Sequence, residues 1–280
     1  MKKVINIPIE GKHNKPVLTD LFYNENNQAK QIVIFCHGYK GYKDWGVWNL
    51  VAEKFAENNI FFVKINFSHN GGTIEQPIDF PDLEAFGNNN FTKELDDIDC
   101  VLNWLLNNSS IQNEIDPKNI TLIGHSRGGG TILIKANEDP RITKIITWAG
   151  ISDFGSRFLN KEQIKAWQKN GVVYIENGRT KQQMPHYFQF YINYKENEKR
   201  LCIKTAVKNL KIPYLIIHGE DDETVSIKEA ENLLSWNVHN QIFVIKNGNH
   251  SFGSKQPWES KSLPKDVKAL VDMSIQFQNN

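Results

Sequence analysis

The run Gly124-His125-Ser126-Arg127-Gly128 flanks a serine with glycine two residues away on each side. This is the G-x-S-x-G arrangement, in which the serine sits on a sharp strand-to-helix turn and its hydroxyl is exposed for attack. The flanking glycines let neighbouring elements approach where a Cβ would clash. A serine hydroxyl is a poor nucleophile at neutral pH, so it needs a base, and the base needs an orienting acid. Gly219-Glu220-Asp221-Asp222-Glu223 offers the acid and Asn247-Gly248-Asn249-His250 the base. The chain order Ser126, Asp222, His250 is the one expected of a serine on such a turn. Asp221 is a close rival, because the acidic doublet leaves the register open by one residue, and Asp153 is a further alternative acid.

The same chemistry needs two backbone N–H groups for the oxyanion. Arg127, directly after the serine, supplies one, and Tyr39 in His37-Gly38-Tyr39 supplies the other. Gly38 permits the bend that turns the Tyr39 N–H inward, while His37 reads as a staple of the loop rather than a chemical group. Losing one such donor costs about 3 kcal/mol of transition-state stabilisation. Each signal has an ordinary explanation by itself. A glycine-rich turn can be packing or a phosphate cradle, an acidic cluster is usually a solvated turn, and a lone histidine is usually structural. The phosphate loops G-x-x-x-x-G-K-[ST] and G-x-G-x-x-G are absent, and the three signals coincide at three strand ends.

Those ends belong to a series of apolar runs. Residues 3–8 and 17–23 read as strands, followed by near-continuous runs at 31–36, 60–66, 119–124, 142–149, 212–219 and 241–246. Continuous runs mark strands covered on both faces, as in a parallel sheet. Helical spacing appears at 47–57, at Leu95, Ile98, Leu102 and Leu105, from Thr131 to Ala136, and at Val267, Leu270, Val271 and Ser274. Alternating strand and helix call for an open, mostly parallel central sheet flanked by helices on both faces, with ligands at the carboxyl ends of the strands. The rhythm breaks at residues 151–210, a span rich in aromatic and polar groups without a clear strand–helix unit. It is too long for a simple crossover and reads as a small inserted cap on a core of residues 1–150 and 211–280.

A chain of 280 residues suits one large α/β domain with an insertion. Its net charge of +1, with both signs interspersed, argues against nucleic-acid or membrane-surface binding driven by bulk charge. The amino terminus has a short apolar stretch broken by Asn6 and Pro8, unlike a signal peptide, and no window approaches the length of a membrane span. Cys36, Cys100 and Cys202 are odd in number and lack C-x-x-C spacing, which points to a reducing cytoplasm. H-E-x-x-H and calcium-loop spacings are absent, so no metal or cofactor is expected.

In these motifs the chain resembles the α/β-hydrolases, and within them the dienelactone-hydrolase and prolyl-oligopeptidase-like branch that includes bacterial cinnamoyl and feruloyl esterases. The resemblance runs nearly the whole length and rests on HGYKGYKDW, GHSRGG, IPYLIIHGEDDETV and GNHSFG. It implies an α/β-hydrolase fold, Ser126 as nucleophile, Asp222 as acid, His250 as base, and Tyr39 and Arg127 as oxyanion donors. Dienelactone hydrolases proper carry cysteine where this chain has Ser126, and there is no room for the propeller of prolyl oligopeptidases. Cinnamoyl-type esterases carry an insertion where residues 151–210 lie.

The expected function is hydrolysis of small-molecule carboxylic esters, short-chain or of aryl and cinnamoyl type, through an acyl-enzyme. A serine peptidase or amidase shares all of this machinery, and a perhydrolase uses it with peroxide. A non-catalytic ligand-binding homologue would have no need of all three residues. Trp167, Tyr174, His186 and Tyr187 are the cap candidates for substrate contact, set against the alternative that the cap aromatics are its own small core. The partner expected is a small-molecule ester, with a homodimer left open.

Overall fold

A computed structural model describes residues 1–279 of the chain. It opens with β1 (Lys2–Ile9), β2 (Val17–Tyr23) and β3 (Lys30–Cys36), then α1 (Trp48–Glu57), β4 (Phe61–Asn66), α2 (Leu83–Gly87) and α3 (Phe91–Asn107). Next come β5 (Ile115–His125), α4 (Arg127–Glu138), β6 (Ile142–Trp148), α5 (Lys161–Asn170), β7 (Val172–Glu176) and β8 (Gln183–Tyr187). The chain closes with α6 (Gln189–Glu196), α7 (Ile203–Asn209), β9 (Tyr214–Gly219), α8 (Ile227–Ser235), β10 (Gln241–Ile245) and α9 (Lys265–Gln278).

All of the apolar runs read as strands join one eight-stranded sheet, in the order β1-β2-β4-β3-β5-β6-β9-β10. From β4 to β10 every neighbouring pair is parallel, while β1 and β2 pair antiparallel with each other and β2 pairs antiparallel with β4. The alternation of side chains along each strand divides the core in two. Ile32, Ile34 and Cys36 of β3 face a layer shared with α3, α4, α7 and α8, whereas Val33 and Phe35 face α1 and α9. Both faces are therefore dry along the central strands, which is why β3, β4, β5, β6 and β9 are mostly apolar rather than apolar only at alternate positions.

The interval 151–210, read from the sequence as lacking a clear strand–helix unit, has regular structure of its own. It contains α5, the antiparallel hairpin β7–β8, α6 and α7. Apolar spacing is weak here because only Trp167 of α5 is buried. The helix is instead defined at its ends, by a capping box between Asn160 and Gln163 and by Gly171 in a left-handed conformation (φ 74°). Pro185 is tolerated in β8 because the hairpin has only two strands, each with a free edge. Among the described residues no helix is long and apolar enough to cross a membrane.

Candidate active site

Ser126 occupies the one-residue junction between β5 and α4, with φ 56° and ψ −122°. A non-glycine residue there carries strain of about 1–3 kcal/mol, held in place by its surroundings. Its N–H donates to the Trp148 carbonyl of the neighbouring strand at 2.9 Å, and its carbonyl accepts from Gly129 at 3.0 Å. The turn is this tight because backbone meets backbone. A Cβ on Gly124 would lie 2.4 Å from the Gly128 carbonyl oxygen, and one on Gly128 would lie 2.5 Å from the carbonyl oxygens of both Cys36 and His37. The first turn of α4 thus contains three successive glycines despite their poor helix propensity, because a larger residue would force the helix off the sheet.

The strand ends bring His250 and Asp222 to this serine. His250 Nδ1–H donates to Asp222 Oδ2 at 2.8 Å, which leaves Nε2 to accept from the Ser126 hydroxyl at 3.1 Å. Asp222 Oδ1 accepts from the N–H groups of Thr224 and Val225 at 2.9 and 2.8 Å. Burial would raise its pKa, but hydrogen bonds from His218 and His250, together with the electrostatic pull of the His250 ring, hold it well below the usual carboxylate range. Of the alternatives, Asp221 is exposed and donates its backbone N–H to Gly248, while Asp153 caps the Ser156 N–H. Neither carboxyl reaches His250.

Two further histidines support the pair. His218, on β9 and fully buried, donates from Nε2 to the Val225 carbonyl at 2.8 Å and lies 3.4 Å from Asp222 Oδ2; its Nδ1 is buried without a partner. His125 donates to the His250 carbonyl at 3.0 Å. Burial, reinforced by the neighbouring His250, lowers the His125 pKa to about 3, so this ring is a neutral prop for the backbone.

Tyr39 and Arg127 lie beside Ser126 in the same cavity. Arg127 is the first residue of α4, so its N–H has no carbonyl to bond within the helix. The loop carrying Tyr39 is pinned from below. His37 donates from Nδ1 to the Gly38 carbonyl at 2.8 Å and accepts the Phe67 N–H at 3.3 Å, and burial holds its pKa at about 4. Farther along the loop, Lys43 reaches Asp20 at 2.8 Å and Asp44 at 2.5 Å, and Lys64 of β4 bonds the same two carboxylates. Lys43, Lys64 and Asp20 are completely buried, so this cluster ties β2, β4 and the loop together without water. On the other side, the Arg127 guanidinium bonds Glu94 of α3 at 2.5 Å, and Glu94 also accepts from Asn89 and Thr131.

Ser126 and His250 open into a cavity of about 590 Å³ between the sheet and residues 151–210. Phe91, Phe154, Phe158, Phe190, Ile151 and Leu159 form much of its apolar wall. Three of the four cap candidates line it: Trp167, Tyr174 and His186. His186 gives Nδ1–H to the Met184 carbonyl at 3.2 Å and accepts the Tyr39 hydroxyl at 2.9 Å; burial lowers its pKa to about 4. Tyr187 is not brought to the cavity. Its ring packs beside Gly87 and its hydroxyl bonds Glu84. Trp167 serves both readings offered for the cap aromatics, since it also packs against Phe188 and Tyr191. Sequence reasoning missed Glu94, His218 and the Phe91 and Phe154 walls, because nothing near them in the chain announces their partners.

A family model described as BD-FAE matches residues 19–236. Among curated proteins, monoacylglycerol lipase ABHD6 of Rattus norvegicus is 22% identical over 276 residues, covering 86% of this chain and 76% of that one. Est1E from Butyrivibrio proteoclasticus, solved with ferulic acid bound, superposes with a TM-score of 0.73 at 16% identity over 98% of each chain. Dienelactone hydrolase from Anabaena variabilis superposes with a TM-score of 0.63 at 17% identity, over 98% of this chain and 95% of that one.

Proposed function

Since the chain belongs to the BD-FAE family and is a carboxylesterase-type hydrolase of α/β-hydrolase fold, we propose that Ser126, His250 and Asp222 act as a triad that cleaves carboxylic esters through an acyl-enzyme. In this reading residues 151–210 are a cap on a core of residues 1–150 and 211–280, and an aryl or cinnamoyl-type acyl group lies beneath it.

The observation that carries the reading is the unbroken series of hydrogen bonds from Asp222 through His250 to the Ser126 hydroxyl, ending on the wall of an apolar cavity. As Ser126 Oγ bonds to the ester carbon, its proton passes to His250 Nε2, and the ionised Asp222 stabilises the imidazolium that forms. The carbonyl oxygen becomes an oxyanion that accepts from the Tyr39 and Arg127 N–H groups. Collapse of the intermediate breaks the bond to the alcohol, which leaves with the proton from His250. Water, deprotonated by the same imidazole, then attacks the acyl-enzyme, and Ser126 is released with its proton restored. The volume suits an organic acyl group of moderate size, and the Phe91, Phe154, Phe158 and Phe190 walls favour a flat aromatic one. Est1E, similar over its whole length and solved with ferulic acid, supports that choice of acyl group.

The test is turnover of short-chain nitrophenyl esters, methyl hydroxycinnamates and an aminoacyl anilide by the wild type and by Ser126→Ala. The expected result is preference for the hydroxycinnamates and a loss in the variant of about 10⁶ in kcat. Retained turnover in Ser126→Ala refutes the triad, turnover of short esters alone refutes the aryl acyl assignment, and equal turnover of the anilide makes the protein an amidase.

A further inference from the structure

Among the described residues the cavity wall carries three basic side chains, Lys40, Arg127 and Arg157, and no aspartate or glutamate. Two of the three are already answered from behind the wall, Arg127 by Glu94 and Arg157 by Glu229. Lys40 has no carboxylate partner and no side-chain hydrogen bond among the described residues. Its ammonium lies 5.2 Å from the centroid of the Tyr39 ring. It is half-buried, and burial lowers its pKa, the response of a cation whose environment supplies no counter-charge. His186, also on this wall, is kept neutral by burial and adds nothing to the balance.

Lys40 has φ 53°, the left-handed region that favours glycine, yet a long charged side chain is held there, next to the proposed oxyanion donor. Among the described residues the cavity beside Ser126 therefore has one positive charge without a carboxylate partner, beside the phenyl walls, where a charge-assisted hydrogen bond is strong. A single ammonium matches a single negative charge.

We propose that the substrate is an ester bearing a free carboxylate, which Lys40 binds while the ester carbonyl lies at Ser126. The inference rests on the ester-hydrolase reading and deepens it by naming the substrate's charge. Lys40 sets specificity and takes no part in bond making, and the carboxylate can belong to the acyl or to the alcohol portion of the ester.

The experiment compares matched pairs of esters. Mono-4-nitrophenyl glutarate against 4-nitrophenyl hexanoate places the charge on the acyl side, and a hydroxycinnamate ester of lactic acid against that of methyl lactate places it on the alcohol side. The quantity read is the charged-to-neutral ratio of kcat/KM. In one of the pairs this ratio falls about tenfold or more from wild type to Lys40→Met, is retained in Lys40→Arg, and declines with added salt. Lys40→Gly, which suits the left-handed backbone, loses the preference in the same way without straining the loop. Equal ratios in wild type, Lys40→Met and Lys40→Gly for both pairs overturn the inference while leaving the esterase reading intact. A second arm needs no turnover: calorimetric binding of the uncut esters to Ser126→Ala and to Ser126→Ala with Lys40→Met. Tighter binding of the charged member that depends on Lys40 supports the inference even if no ester is hydrolysed, and equal binding sinks it.

Discussion

Asp97 lies on α3 behind the active site, 1% exposed, with Oδ2 accepting the Ser68 N–H at 2.7 Å and Oδ1 buried without a partner. Burial pushes its pKa up from an ordinary value of 3.8 to about 7, against the Ser68 hydrogen bond and with help from Glu94 and Asp96. The protonated form is thus the one the fold prefers. Below the unfolded value no stability is lost; as pH rises from about 4 to about 7 the unfolded chain releases the proton and the folded one retains it. Stability then falls by about 4 kcal/mol and is constant above that range. Asp97→Asn keeps the acceptor for Ser68 and never ionises, but its amide group faces the site where Oδ1 has no partner, at a cost of about 1–3 kcal/mol. The variant is therefore expected to be less stable than wild type near pH 4 and more stable at pH 8, by about 1–3 kcal/mol each way. Urea unfolding followed by tryptophan fluorescence at both pH values measures this. A stability difference of the same sign and size at pH 4 and pH 8 would show that Asp97 does not titrate as argued.

Asp222→Asn is expected to lower kcat by about 10⁴, because the amide no longer selects the imidazole tautomer, with fold and ester binding preserved by circular dichroism and by KM. In the wild type the depressed Asp222 pKa contributes stability that is present above about pH 4 and is lost as pH falls through the folded value, so acid titration should unfold Asp222→Asn less steeply. Glu94→Ala leaves the Arg127 guanidinium and the Thr131 hydroxyl without their shared partner, and should cost about 3–5 kcal/mol in urea unfolding. A loss below about 0.5 kcal/mol would place that pair among weak surface contacts instead.

The sheet was legible because the central strands β3, β4, β5, β6 and β9 are buried on both faces over most of their length, so apolar residues dominate each run. The junction at Ser126 was legible because only glycine fits the contacts at positions 124 and 128. Asp221 and Asp222 were inseparable in the chain, since they share one chemistry and only placement distinguishes them: one carboxyl is exposed and the other meets His250. The hairpin β7–β8 was missed although Asn177-Gly178 marks its turn, because its strands are half-exposed and its aromatics do not alternate cleanly. Glu94 and Lys40 were invisible for a different reason. Their significance lies in which charges across the cavity are matched, and a pairing between residues 94 and 127 leaves no local trace.

The contrast between the two walls of the cavity bears on how such a protein changes over time. The loop with Tyr39 is anchored by Lys43, Lys64 and Asp20, all without solvent contact, and removing one member of such a group costs about 3–5 kcal/mol. The hairpin opposite is fastened by groups near the surface, Arg179 to Asp79 and Tyr187 to Glu84, and replacements in such places usually cost about 0.5 kcal/mol or less. A lineage can therefore revise the hairpin by single steps while the buried Lys43, Lys64 and Asp20 cluster tolerates almost none. A mutagenesis library confined to residues 172–187 should yield new substrate preferences at far higher frequency than one of equal size confined to residues 41–46, around the buried Lys43.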